Sequence, residues 1–163
     1  MTPEEKARVK IDQWLTEAGW KVINRDEFEA DSTAVAVREG LLKGNKEADY
    51  FLFINGKAVG VLEAKREEVD VTQQVVWDQA IGYAKGVPSF YTAYRKPLPF
   101  IYTSNGKQLY FCDFRKEDSS YEEISLMHKP KKLVKMLGIE DPFAGLPTLN
   151  TKGLRTCQFE AIT

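Results

Sequence analysis

Asp49-Tyr50-Phe51-Leu52-Phe53-Ile54-Asn55-Gly56-Lys57-Ala58-Val59-Gly60-Val61-Leu62-Glu63-Ala64-Lys65 reads as strand, turn, strand. The run from Tyr50 to Ile54 is apolar at every position, which predicts a strand covered on both faces. Asn55-Gly56 is a turn signal, and Lys57 to Lys65 continues as the second arm. Side chains alternate along a strand, so Glu63 and Lys65 share a face with Val59 and Val61 while Ala64 points the other way. An acid and a base at the end of an apolar strand are costly to bury unless paired or metal-bound. That polar pair marks the edge of an apolar surface.

Upstream, Thr2-Pro3-Glu4-Glu5 predicts a helix start, with Thr2 as N-cap, Pro3 in the first turn and Glu5 closing a capping box. Ala7, Ile11, Trp14, Leu15 and Ala18 recur at helical spacing, and Gly19 ends the helix. Trp20 to Ile23 is a short strand candidate. Residues 24–47 read less clearly, with Val35-Ala36-Val37 as strand or loop. Downstream, Asp70 with Gln73 predicts the start of a second helix, running to Lys85 and stopping at Gly86. Strands follow around Phe100–Thr103 and Gln108–Phe114, then a short helix over Lys131–Leu137 closed by Gly138. The order predicts an α/β fold with a mixed central sheet flanked by helices. Asp141 to Gly153 reads as a linker.

The chain has 163 residues, 43% apolar and 29% charged, with net charge −1. That suits one domain with a real core. No apolar run approaches the length of a membrane span, and the acidic start is no signal peptide, so the cytoplasm is the expected compartment. Cys112 and Cys157, far apart, are expected as reduced thiols, and with one histidine they make a poor zinc set. His128 reads as a surface residue. The near-neutral charge argues against tight autonomous DNA binding. Lys129, Lys131, Lys132 and Lys135 form a basic cluster that reads equally as a solvated helix face or a phosphate contact.

Chemistry here therefore rests on carboxylates, lysine and a hard metal. Magnesium takes one or two carboxylates plus water and phosphate oxygens. Asp49 and Glu63 would supply the carboxylates and the Ala64 carbonyl a further ligand, with Lys65 orienting the attacking water and offsetting charge on a phosphate. Register tests this. A plain two-residue turn at Asn55-Gly56 opposes Asp49 to Leu62 and points it away from Glu63. The site needs a shift of one, predicted as a three-residue loop Ile54-Asn55-Gly56 with a G1 bulge pairing Phe53 with Lys57, or an equivalent bulge. On the second helix Gln79 and Tyr83 stand one turn apart, and their face is expected to pack towards the sheet.

Asp49, then Glu63-Ala64-Lys65, then Gln79-Ala80-Ile81-Gly82-Tyr83 resembles the PD-(D/E)xK nuclease pattern with its Gln-x-x-x-Tyr extension, although Ala48 stands where the pattern has Pro. The combination resembles the N-terminal nuclease domain of the restriction subunit of Type I restriction–modification enzymes. So do Arg8-Val9-Lys10-Ile11-Asp12, Ala18-Gly19-Trp20 and Thr103-Ser104-Asn105-Gly106, which extends the likeness over residues 4–114. The resemblance implies a restriction-endonuclease-like fold over residues 1–143. It implies catalytic roles for Asp49, Glu63, Lys65, Gln79 and Tyr83, and Mg2+ (Mn2+ as substitute) on Asp49, Glu63 and the Ala64 carbonyl. The family's early helical acid would fall on Glu4 or Glu5. Leu154 to Ile162 resembles the segment before the ATP-binding loop of superfamily 2 helicases, with Gln158 reading the adenine of ATP. That implies a linker at 144–153, a motor beginning at 154–163 and continuing past Thr163, and a fragment of a larger enzyme. Double-stranded DNA and the methyltransferase and specificity subunits are the implied partners, with no membrane.

Two other readings stay open. One is a non-catalytic docking module of a helicase assembly, against which the intact Asp49, Glu63 and Lys65 argue. The other is a stand-alone repair or phage nuclease of the same fold, against which the helicase-like tail argues.

Overall fold

A computed structural model describes residues 2–29, 33–41, 47–88, 91–116 and 120–138. The expected linker, the motor segment with Gln158, Cys157 and the domain boundaries at 143 and 153 lie outside the described residues. The chain divides into two compact units, Met1–Pro130 and Lys131–Thr163.

Helix α1 spans Pro3–Glu17 and opens as the sequence predicts. The Thr2 hydroxyl accepts from Glu5 N at 3.1 Å, and Glu5 Oε1 accepts from Thr2 N at 2.8 Å. Its apolar stripe buries Ala7, Ile11 and Leu15, and Gly19 ends it at a φ of +102°, a conformation that costs other residues strain. Strand β1 is Lys21–Asn24, one residue later than predicted, and is followed by a 3-10 turn at Arg25–Glu27. The poorly legible region contains an eight-residue strand, β2, Ala34–Leu41.

Strands β3 (Glu47–Ile54) and β4 (Lys57–Ala64) form the predicted antiparallel pair. Helix α2 (Gln74–Lys85) crosses over to β6 (Phe100–Ser104), which lies parallel to β4. The two-residue strand β5, Thr92–Ala93, pairs with the start of β4. Strand β7 (Leu109–Asp113) returns antiparallel, and β8 (Glu122–Glu123) edges it. The path β1-β2-β3-β4-β6-β7-β8 is a mixed sheet, as expected. Phe51, Phe53 and Val61 pack with Trp77, Ala80 and Ala84 of α2 on one face. Tyr50, on the other, meets α1 through its hydroxyl. Helix α3 spans Pro130–Leu137, leaves Lys131, Lys132 and Lys135 exposed, and is followed by Gly138 at a φ of +68°.

Several expectations need correction. The β3–β4 turn is a two-residue one: Ile54 pairs with Lys57, and Asn55 and Gly56 take φ of 52° and 78°, the signature of a type I′ turn. The register shift arises within the strands instead. Phe53 pairs with Ala58 and Leu52 with Gly60, which leaves Val59 as an extra residue. Asp70 does not cap α2. Its carboxylate accepts from Thr72 N at 2.9 Å in a local Asx turn, and the helix starts at Gln74. His128 is half-buried rather than superficial: its Nδ1 lies 2.9 Å from the Tyr102 hydroxyl, and its carbonyl accepts from Trp20 Nε1 at 2.9 Å.

Candidate active site

The extra residue in β4 restores the parity that the turn alone would spoil. Beyond it Tyr50 pairs with Leu62, so the next rung sets Asp49 against Glu63. The predicted three-residue loop would have opposed Asp49 to Val61. Both arrangements put Asp49 on the Glu63 face, because each moves the register by one from the plain hairpin.

Where β3 and β4 end their ladder, Asp49 takes the place of a backbone acceptor. Its Oδ2 accepts from Ala64 N at 2.8 Å, and its Oδ1 accepts from Arg8 Nη2 at 2.5 Å. The Asp49 side chain keeps 16% exposure. In an extended residue the N–H and C=O point to the same side. The Ala64 carbonyl therefore faces the same way as its N–H, towards Asp49.

Glu63 is the buried centre of the group, with 2% of its side chain exposed. Lys65 Nζ stands 3.6 Å from Glu63 Oε2, beyond a hydrogen bond, and Oε2 is buried with no hydrogen-bond partner. Tyr83 of α2 stands near enough to Glu63 for the two groups to shift each other's titration. Burial, reinforced by Asp49 beside it, pushes the Glu63 carboxyl up to about 9, against the pull of Lys65 and Tyr83. The Tyr83 hydroxyl is pushed up as well, first by burial and then by the charges of Glu63 and Asp49.

Asp49, Glu63, Ala64, Lys65 and Tyr83 thus converge. Gln79 does not join them: α2 buries Val76, Trp77, Ala80 and Ala84, and Gln79 stands exposed one turn before Tyr83. The expected packing face was drawn one position off, because Trp77 and Ala80 carry the stripe. On α1, Glu5 is engaged in the capping box, and the residue that reaches Asp49 is Arg8. Its signal in the sequence is its position one helical turn before Asp12, a second polar side chain that α1 turns towards β3.

Thr103-Ser104-Asn105-Gly106 braces the backbone around the site. Ser104 O accepts from Lys65 N at 2.8 Å. Asn105, nearly buried, donates through Nδ2 to Val69 O at 2.9 Å and Glu67 O at 3.3 Å, while its Oδ1 accepts from the amides of Lys107 and Gln108. The motif thereby clamps the segment leading from Lys65 to α2.

Among the described residues no group of three or more His, Cys, Asp or Glu gathers. The set is two carboxylates, one carbonyl and an ammonium. A buried carboxylate oxygen without a hydrogen bond is costly to ionise unless a further positive charge pairs with it. Hard oxygen donors of this kind fit a magnesium ion that completes its shell with water and phosphate.

A solved structure titled as the fragment structure of a putative HsdR subunit of a type I restriction enzyme from Vibrio vulnificus YJ016 is similar over 86% of this chain, with a TM-score of 0.54 and 26% identity. The Type I restriction enzyme EcoKI endonuclease subunit of Escherichia coli (strain K12) is 25% identical over 222 residues, covering 98% of this chain. The chain spans 18% of that curated relative's length and 27% of the solved chain. No described helix is long and apolar enough to cross a membrane. Residues 28–137 match the family described as the Type I restriction enzyme EcoKI endonuclease subunit second domain, and the chain belongs to that family of Type I restriction endonuclease subunits.

Proposed function

We propose that this chain is the endonuclease domain of a Type I restriction enzyme's R subunit. In this reading it hydrolyses phosphodiester bonds of double-stranded DNA with Mg2+, or Mn2+ in its place. Cutting is coupled to ATP-driven translocation by a motor carried elsewhere in the protein, and the methyltransferase and specificity subunits supply recognition. The observation that carries the reading is Glu63 Oε2, buried, without a hydrogen-bond partner, 3.6 Å from Lys65 Nζ and set across from Asp49.

Asp49, Glu63 and the Ala64 carbonyl would hold the ion. When bound, the cation supplies Lewis-acid stabilisation of the phosphate and a water of lowered pKa. The remaining work falls to this chain's side chains. Glu63 must give up its proton to act as a ligand, and Tyr83 donates a hydrogen bond to the carboxylate that results. Lys65, 27% exposed beside Glu63, orients the attacking water and offsets charge on the phosphate. Gln79, exposed one turn along α2, is positioned to meet DNA rather than to complete the ligand set.

Calorimetric titration with Mn2+ tests this directly. Saturable binding with release of a proton is expected for the wild type, and its loss in Asp49→Ala. Absence of saturable binding, with and without duplex DNA present, would overturn the reading and favour a docking module.

A further inference from the structure

Helix α1 and strand β3 are tied by two polar contacts in matching register. Arg8 and Asp12 stand one turn apart on α1, and their partners Asp49 and Tyr50 are consecutive on β3. The Tyr50 hydroxyl donates to Asp12 Oδ1 at 2.6 Å. Arg38 of β2 donates to Asp12 Oδ2 through Nη2 at 2.8 Å and Nε at 3.2 Å. Asp12 therefore anchors α1 across two strands. Consecutive strand residues face opposite ways, so one helix reaching both needs Asp49 close to the sheet plane. The Ala64 N–H bond supplies that placement by drawing the carboxylate in where β3 and β4 part.

A third contact sets how closely α1 approaches. A Cβ on Gly106 would meet Ala7 Cα at 3.0 Å, and Gly106 has a φ of +86°. The residue next to Ala7 is Arg8.

We propose that Arg8 is the positioning residue of the site. It holds Asp49 Oδ1 while the Ala64 amide holds Oδ2, so the carboxylate is fixed at both oxygens before any ligand arrives. A carboxylate accepts about four hydrogen bonds, so two such contacts leave it able to bind a cation. Arg8 also supplies the positive charge that keeps Asp49 compensated beside Glu63. What Asp49 does once held rests on the function proposed above; that Arg8 holds it does not.

The test begins without metal, on the whole chain. Amide hydrogen exchange is followed by NMR in wild type, Arg8→Met, Arg8→Lys and Asp49→Ala. Met keeps the apolar stem and removes the charge. In Arg8→Met the Ala64 amide should exchange faster, approaching its rate in Asp49→Ala, while Ile11 and Leu15 stay protected. Arg8→Lys should recover part of the protection. Mn2+ affinity should then weaken by about 10–100-fold in Arg8→Met, as for other partners of metal-holding carboxylates. An Ala64 amide as protected as in wild type would overturn the proposal. So would joint loss of protection at Ile11 and Ala64, which would make Arg8 a docking residue of α1, and so would equal or tighter Mn2+ binding. If the wild type binds no Mn2+ while Ala64 responds to Arg8→Met, the proposed function fails and the assignment of Arg8 stands.

Discussion

At Glu63 burial and charge conflict. The side chain sits within the sheet beside Asp49, and burial raises its pKa from an ordinary 4.5 to about 9. The folded protein then keeps a proton that the unfolded chain gives up above 4.5. Stability should therefore fall as pH rises from about 4.5 to about 9 and level off beyond. The slope reflects one proton held by the folded chain and released on unfolding. Calorimetric unfolding across that window should show the decline in wild type and a flatter profile in Glu63→Gln, which has no proton to lose. A wild-type profile as flat as the variant's would mean that Glu63 is ionised in the metal-free protein.

The hairpin, as an element, resolves competing demands. Asn55-Gly56 favours the tight type I′ turn, which by itself would point Asp49 and Glu63 to opposite faces. The extra residue Val59 corrects the parity, and Gly60 follows it, paired with Phe100 of β6. A Cβ on Gly60 would lie 2.8 Å from Phe100 O, a backbone atom that cannot swing aside. Gly60→Ala should destabilise the protein by about 1–3 kcal/mol, in the range of overpacked interiors. Urea unfolding would measure this. A loss below about 0.5 kcal/mol would show that β4 and β6 separate without cost.

At the scale of the first unit, residues 120–130 bind both layers together. Tyr121 stacks on Trp77 of α2 with ring centroids 3.5 Å apart, β8 pairs with β7, and His128 meets Trp20 and Tyr102. The strap thus begins on the α2 face and ends beside the strand that follows α1. Tyr102→Phe removes the hydroxyl facing His128 Nδ1 and keeps the ring. It should cost about 0.5–1.5 kcal/mol, the worth of an ordinary hydrogen bond. The same variant should leave Mn2+ binding as in wild type, because none of the atoms placed at the site belongs to the strap. A change in Mn2+ affinity would connect the strap to the site.

Local rules determined much of this protein in advance. Capping chemistry fixed the start of α1, apolar continuity fixed β3 and β4, and the alternation of β4 put Glu63 and Lys65 on one face. These signals are short-ranged, and the residues concerned obey their own neighbours' preferences. What the sequence left open depended on partners distant along the chain. Val59 becomes the extra residue only because β3 and β6 fix the registers on either side of β4. Gln79 faces outward because Trp77 and Ala80 claim the packing stripe, and His128 turns inward because Trp20 and Tyr102 offer it partners. Arg8 gains its place from a contact spanning 41 positions, and only the folded sheet brings Asp49 within its reach.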